Sequence, residues 1–175
     1  MSYEELLKRN IDEFISLNII YPTRESFIKF LDRKDYDNET NRYLIIELLK
    51  NQFVLKNKEC LNTIAYFVVR NNDAETLSLL INNYNIDPFY HDNFLLTLSI
   101  ELGFTEVVKV LLSDSRINPK RWGSYYIKVA INLDSTELLK MLLNNKNIEV
   151  TEENKTNILE KYSDCNEILE LLSLE

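Results

Sequence analysis

The sequence predicts an all-α fold built from a short repeated unit. A pattern of Glu, Leu-Leu and Ile recurs through the chain with a period of about 31, a spacing typical of stacked helical repeats. The 175-residue chain has only 2 Gly and 3 Pro, too few for the hairpin turns of a many-stranded sandwich. Hydrophobic residues make up 45% of it and charged residues 27%, which suits one ordered domain with a real core.

The repeat fixes the elements. AETLSLLINNYNIDP (74–88) aligns with TEVVKVLLSDSRINP (105–119), and one period further on with TELLKMLLNNKNIEV (136–150). Glu75, Glu106 and Glu137 share one position; Leu80, Leu111 and Leu142 share another; Ile86, Ile117 and Ile148 a third. LIIELLKN (44–51) fits the same pattern upstream, and NEILELLS (166–173) follows a single position early in the next period. Ahead of these lie IAYFVVRNND (64–73), LLTLSIELGF (95–104) and IKVAINLDS (127–135), also in register. Each unit therefore reads as a first helix of about nine residues and a second of about ten, joined by a tight turn. Asn72, Gly103 and Asp134 stand where the first helix must stop. Asp92 or Asn93, and Ser124, are expected to cap the following first helices. So short a pair cannot bury its apolar face alone, so neighbouring units must stack, with Val107, Val108, Leu111 and Leu112 between second helices. A general helical bundle with accidental Leu-rich similarity is the alternative; the shared register argues against it.

The N-terminal region, 1–58, is less regular. Leu6, Leu7, Ile11, Phe14, Ile15 and Ile19 form a helical stripe over 3–19. Pro22-Thr23 ends it, Thr23 and Ser26 open a second helix, and 33–42 reads as a polar connector. The region is expected to be a helical cap or decayed repeats, with decayed repeats ending in a cap favoured. The organisation is then 1–58 followed by units at about 59–92, 93–123, 124–153 and 154–175.

GFTEVVKVLLSDSRINP (103–119) resembles the second helix and following loop of an ankyrin repeat. Its Asp-x-Arg-Ile-x-Pro ending is similar to that of ankyrin proteins of large DNA viruses, phages and protists. The resemblance covers residues 59–175. It departs from the family in lacking the Thr-Pro-Leu-His opening in every copy and the loop Gly at Asn82 and Asn144. It implies an ankyrin-like solenoid that binds through its finger loops and the exposed face of its first helices. Those helices expose Tyr66, Arg70, Thr97, Glu101, Lys128 and Asn132 in this register.

Two tracts on that edge carry residue types enriched at binding hot spots, namely DPFYHDN (87–93) and NPKRWGS (118–124). The candidate partner-binding residues are Phe89, Tyr90, His91, Lys120, Arg121 and Trp122. For Phe89 and Trp122 the competing reading is closure of the core beneath the loops. Lys120 and Arg121 read as a small basic spot on an acidic body.

The 28 acidic and 20 basic side chains give a formal charge of −8. Residues 134–175 alone hold 10 acidic and 4 basic groups. That field repels a nucleic-acid backbone. Glu149, Glu152, Glu153 and Glu160 form a candidate acidic face, with a solvated end cap as the plainer reading. Two Gly cannot build a Gly-rich phosphate loop, and one His with two Cys excludes the usual zinc sets. Cys60 and Cys165 read as packed, reduced thiols. No apolar stretch is long enough to span a membrane, and the start lacks a secretory core segment.

The expected function is a protein–protein interaction scaffold without cofactor or catalysis. Its partner is another protein, with no direct nucleic-acid or membrane binding. The scaffold is a monomer or a weak homo-oligomer through Phe27 and Phe30. Abundant Asn (21) and Ile (17) use AT-rich codons. With the resemblance this points to a viral or phage protein that inhibits or redirects a host protein in the cytoplasm. The alternative is an acidic nucleic-acid mimic that occupies a basic enzyme site.

Overall fold

The computed structural model describes residues 38–173 except Asn85, together with Glu5, Arg9, Asp12, Glu13, Ser16 and Lys29. Glu5, Arg9, Asp12, Glu13 and Ser16 are helical and exposed. The apolar stripe expected over 3–19, the Pro22-Thr23 break and the Ser26, Phe27 and Phe30 segment lie outside the described residues. The described residues are all-helical, with no strand among them. In order they form α1 (Asn38–Leu48), α2 (Gln52–Lys56), α3 (Lys58–Arg70), α4 (Ala74–Asn83), α5 (Tyr90–Glu101), α6 (Thr105–Leu112), a 3-10 turn (Pro119–Trp122), α7 (Gly123–Asn132), α8 (Thr136–Leu143), α9 (Glu152–Tyr162) and α10 (Asn166–Ser173). The second half of the expected connector, Asn38–Arg42, is instead the first turns of α1.

The chain divides into two compact units, 1–87 and 88–175. The division falls between Asp87 and Pro88, inside the tract that the repeat register assigns to 59–92.

Helix boundaries follow from side-chain caps. Asn51 and Asn57 accept backbone N–H bonds at the starts of α2 and α3, and Ser135 and Thr151 do so for α8 and α9. In the first unit Asp73 caps α4 by accepting from Thr76 N at 3.0 Å. It is also bound by Arg42 Nη2 at 2.9 Å, and Arg42 Nη1 reaches Glu75 at 2.7 Å. Partial burial works against the Asp73 charge, but these hydrogen bonds prevail and hold its carboxyl below the ordinary range.

The turn from first to second helix is the same three times. Asn72 (φ 55°), Gly103 (φ 70°) and Asp134 (φ 55°) are left-handed. In each case the residue after the turn donates back into the ended helix: Asp73 N to Val68 O at 3.1 Å, Phe104 N to Ser99 O at 2.9 Å and Ser135 N to Ala130 O at 3.1 Å. The left-handed residue itself donates to the carbonyls of Val69, Ile100 and Ile131. These paired bonds satisfy carbonyls that a helix end otherwise leaves open. Gly, Asn and Asp are the residue types that enter this conformation at least cost.

Each reversal lays an apolar stripe inward. Leu77, Val108 and Leu139 are fully buried, as are Leu80, Leu111 and Leu142, and Val107 is buried beside them. Leu112 is half-buried. Within the second unit α5 packs on α6 and α7 on α8, α5, α7 and α9 follow one another in a row, and α6, α8 and α10 make a second row. Full burial of one such Leu is worth about 1.5–3 kcal/mol, so the rows dominate the stability of the unit.

Gly103→Ala should destabilise the protein by about 1 kcal/mol through backbone strain alone, because the added Cβ meets nothing closer than Leu133 Cδ1 at 3.6 Å. Gly103→Asn, the residue that makes the same turn at position 72, should cost less. Urea denaturation of both variants beside the parent checks the order.

Candidate functional site

The site is built where α5 begins. His91, Asp92 and Asn93 have φ of 51°, 57° and 65°, three consecutive left-handed residues without a glycine. Such residues cost about 1–2 kcal/mol each, less for Asn and Asp, so surrounding bonds must hold them. Asp92 Oδ2 accepts from Arg121 Nη1 at 2.7 Å and from Trp122 Nε1 at 3.2 Å. Asn93 is fully buried and its Nδ2 donates to Asn118 O at 2.8 Å. The expected caps are therefore corrected. The side chains of Asp92 and Asn93 accept no backbone N–H of α5, whose regular helical backbone starts only after Asn93. Ser124 lies inside α7, where its Oγ donates to Asn154 Oδ1 at 2.8 Å.

A groove of about 330 Å³ runs between α5 and α7. Phe94, Trp122 and Tyr125 give it an aromatic lining, Asp92 and Glu101 its carboxylates, and His91 and Thr97 complete it. The Tyr125 hydroxyl donates to Glu101 Oε1 at 2.5 Å. That bond to a carboxylate raises the Tyr125 pKa. Thr97 Oγ1 and Tyr126 OH lie 2.9 Å apart. Tyr126 is fully buried, and its ring centroid is 6.1 Å from that of Tyr125 at a tilt of 57°. The groove wall thus stands on the core.

Two further grooves belong to this unit. One, of about 560 Å³, includes Lys128, Asn132, Glu160 and Lys161 among its walls. The other, of about 460 Å³, is lined in part by Lys120, Lys146, Glu149 and Lys155. Ile148 of the second groove packs on Gly123, where an added Cβ would lie 3.0 Å from Ile148 Cγ2 and 3.3 Å from its Cα.

The structure gathers some of the expected binding residues and separates others. His91 and Trp122 line the aromatic groove, and Arg121 closes on Asp92 with its guanidinium carbon 5.3 Å from the centre of the Trp122 ring. Lys120 faces a different groove. Phe89 and Trp122 are each 41% exposed, so the core-closure reading fails for both. The Tyr90 side chain is outside the described residues. Arg121 is not a simple basic spot, since Asp92 matches its charge.

Each of the four candidate acidic residues has lysine company. Glu152 pairs with Lys155 at 3.2 Å and Glu153 with Lys128 at 2.8 Å, while Glu149 and Glu160 share grooves with lysines. Among the first-helix positions, Arg70, Glu101 and Asn132 are exposed and Tyr66, Thr97 and Lys128 half-buried, in step with the repeat.

Residue-by-residue reading of the loops missed Phe94 and Tyr125. The signal was present in the register, since the two aromatics occupy the same position of successive repeats. Asp92, expected as a cap, instead holds Arg121 and Trp122. Cys60 and Cys165 are free, and burial pushes the Cys60 thiol up to about 11. Among the described residues no group of three or more His, Cys, Asp or Glu is placed to hold a metal, and no helix is long and apolar enough to cross a membrane. No protein-family model, curated protein or solved structure matches the chain.

Asp92→Ala removes both bonds that fix Trp122 and Arg121. Because Trp122 is the sole tryptophan, its emission should shift to longer wavelength in that variant. Asp114→Ala, which breaks only the neighbouring Arg116 pair on a different loop, should leave the emission unchanged.

Proposed function

We propose that this chain is a diverged ankyrin-like repeat protein acting as a non-enzymatic scaffold. It binds another protein along the row of first helices and the turns at their N-terminal ends. Support for the ankyrin-like solenoid comes from the three left-handed reversals at Asn72, Gly103 and Asp134, each one repeat period after the last, and from the two rows of helices in the second unit. One observation carries the binding function. Phe89, Trp122 and Tyr125, each 41% exposed, stand at the surface, whereas Tyr126 beside them is fully buried. Exposed aromatics beside a structured arginine are the usual anchors of a protein interface.

The AT-rich residue usage and the resemblance of 103–119 extend the proposal to a viral or phage protein acting on a host protein. The nucleic-acid-mimic reading receives less support. A phosphate-like face needs uninterrupted negative charge, and Glu149, Glu152, Glu153 and Glu160 are interleaved with Lys120, Lys128, Lys146, Lys155 and Lys161.

Affinity capture of partners by the intact protein and by the Arg121→Ala/Trp122→Ala variant tests the scaffold. The double variant should lose a partner that the intact protein retains in moderate salt. Retention by the double variant, with loss when the four glutamates are changed to Gln, would reverse the preference in favour of the mimic.

A further inference from the structure

Resting on the scaffold reading, we propose that the groove between α5 and α7 receives an arginine side chain of the partner protein. The first ground is charge complementarity. Among the described residues Asp92 and Glu101 line this groove and no lysine or arginine does, whereas two other grooves of the unit carry Lys128 and Lys161 in one and Lys120, Lys146 and Lys155 in the other. Arg121 meets Asp92 from outside the lining and offsets only one of the two carboxylates. Glu101 accepts from the Tyr125 hydroxyl, and among the described residues no cation lies within ion-pair distance of it. Neither Asp92 Oδ1 nor Glu101 Oε2 accepts a hydrogen bond from any described residue. Both oxygens are open to donors from a ligand.

The second ground is the aromatic lining. A guanidinium is planar, weakly hydrated and suited to lying on a ring while its edge meets a carboxylate. The chain displays that arrangement at the rim of the same groove, where Arg121 bonds Asp92 at 2.7 Å and lies 5.3 Å from the Trp122 ring centre. Tyr125 and Glu101 offer a ring and a carboxylate of the same kind, already fixed to one another at 2.5 Å. The fixed pair spares an incoming side chain part of the ordering cost. The strained turn His91–Asn93 supplies His91 and Asp92 to the α5 side of the groove, and the buried Asn93 ties that turn to the carbonyl of Asn118. An ammonium would meet the carboxylate as a point charge but would use the rings less fully.

Trp122, the sole tryptophan, reports on this groove directly. Its emission is followed while acetyl-arginine amide, acetyl-citrulline amide or acetyl-lysine amide is added to the full chain at low salt. The arginine compound should give a saturable change, citrulline none, and lysine a weaker one. Glu101→Gln should raise the apparent Kd for the arginine compound about tenfold, the usual scale for losing a hydrogen bond to a charged group. Glu137→Gln, an exposed acid on the second-helix row, should match the parent, and circular dichroism confirms that both variants keep their helices.

No saturable response in the parent overturns the proposal. So does a citrulline response equal to that of arginine, a lysine response as tight, or an unchanged Kd in Glu101→Gln. The failures separate cleanly. If arginine does not bind while partner capture still depends on Arg121 and Trp122, the groove assignment falls and the scaffold stands. If arginine binds but capture is indifferent to those residues, the scaffold edge falls and the groove stands.

Discussion

The left-handed turn between the two helices of each unit is the constraint on which the described structure depends. A helix of ten or twelve residues with one apolar stripe is marginal by itself. It becomes stable only if its partner returns along it with the matching stripe inward. The reversal at Asn72, Gly103 and Asp134 accomplishes that in a single residue, with the next amide closing on a carbonyl of the finished helix. A longer or looser turn would spoil the register of the second helix. Leu80, Leu111 and Leu142 would then lose the positions in which all three are fully buried.

Polar packing follows the same period. Asn62, Asn93, Ser124 and Asn154 stand at corresponding positions of successive repeats, the last of them one place early. Asn62, Asn93 and Asn154 are buried, and Asn154 joins α9 to α7 through Ser124 while Asn93 reaches the carbonyl of Asn118. A buried amide is costly unless bonded, so the two bonds between Asn154 and Ser124 tie α9 to α7 at a set height, and the Asn93 amide nitrogen ties the start of α5 to the loop before the 3-10 turn. The groove between α5 and α7 is framed by the same elements. Trp122 and Tyr125 stay at the surface because Tyr126 fills the core below them and Asp92 and Glu101 hold their polar atoms.

Much of this was legible in the sequence. The alignment picked out Asn72, Gly103 and Asp134 because their residue types and their place after an apolar stripe coincide in each copy. It picked out the Leu positions for the same reason. The start of α5 was not legible. Asp and Asn serve equally as helix caps and as left-handed residues, and Asp92 and Asn93 are held by Arg121, Trp122 and Asn118, all distant in the chain. A sequence shows the residue type but not that distant partner. The pairing of Arg121 was hidden for the same reason, which is why it read as an isolated basic group. The helical start at Asn38–Arg42 was obscured by a polar composition that suits a solvated first turn as well as a loop.

The proposed repeat stack and an ordinary bundle of helices differ most sharply in what happens when one period is taken out. Excision of residues 104–134 joins Gly103 to Ser135, so the left-handed residue again precedes a second helix carrying the same buried stripe. Thermal unfolding of the shortened chain, followed by circular dichroism, is the direct measurement. A stack should keep its helical fraction and melt in one cooperative transition, at a lower temperature because one unit of burial is gone. A chain that loses cooperative unfolding, as a bundle of uniquely matched helices would, contradicts the repeat as the organising principle of this protein.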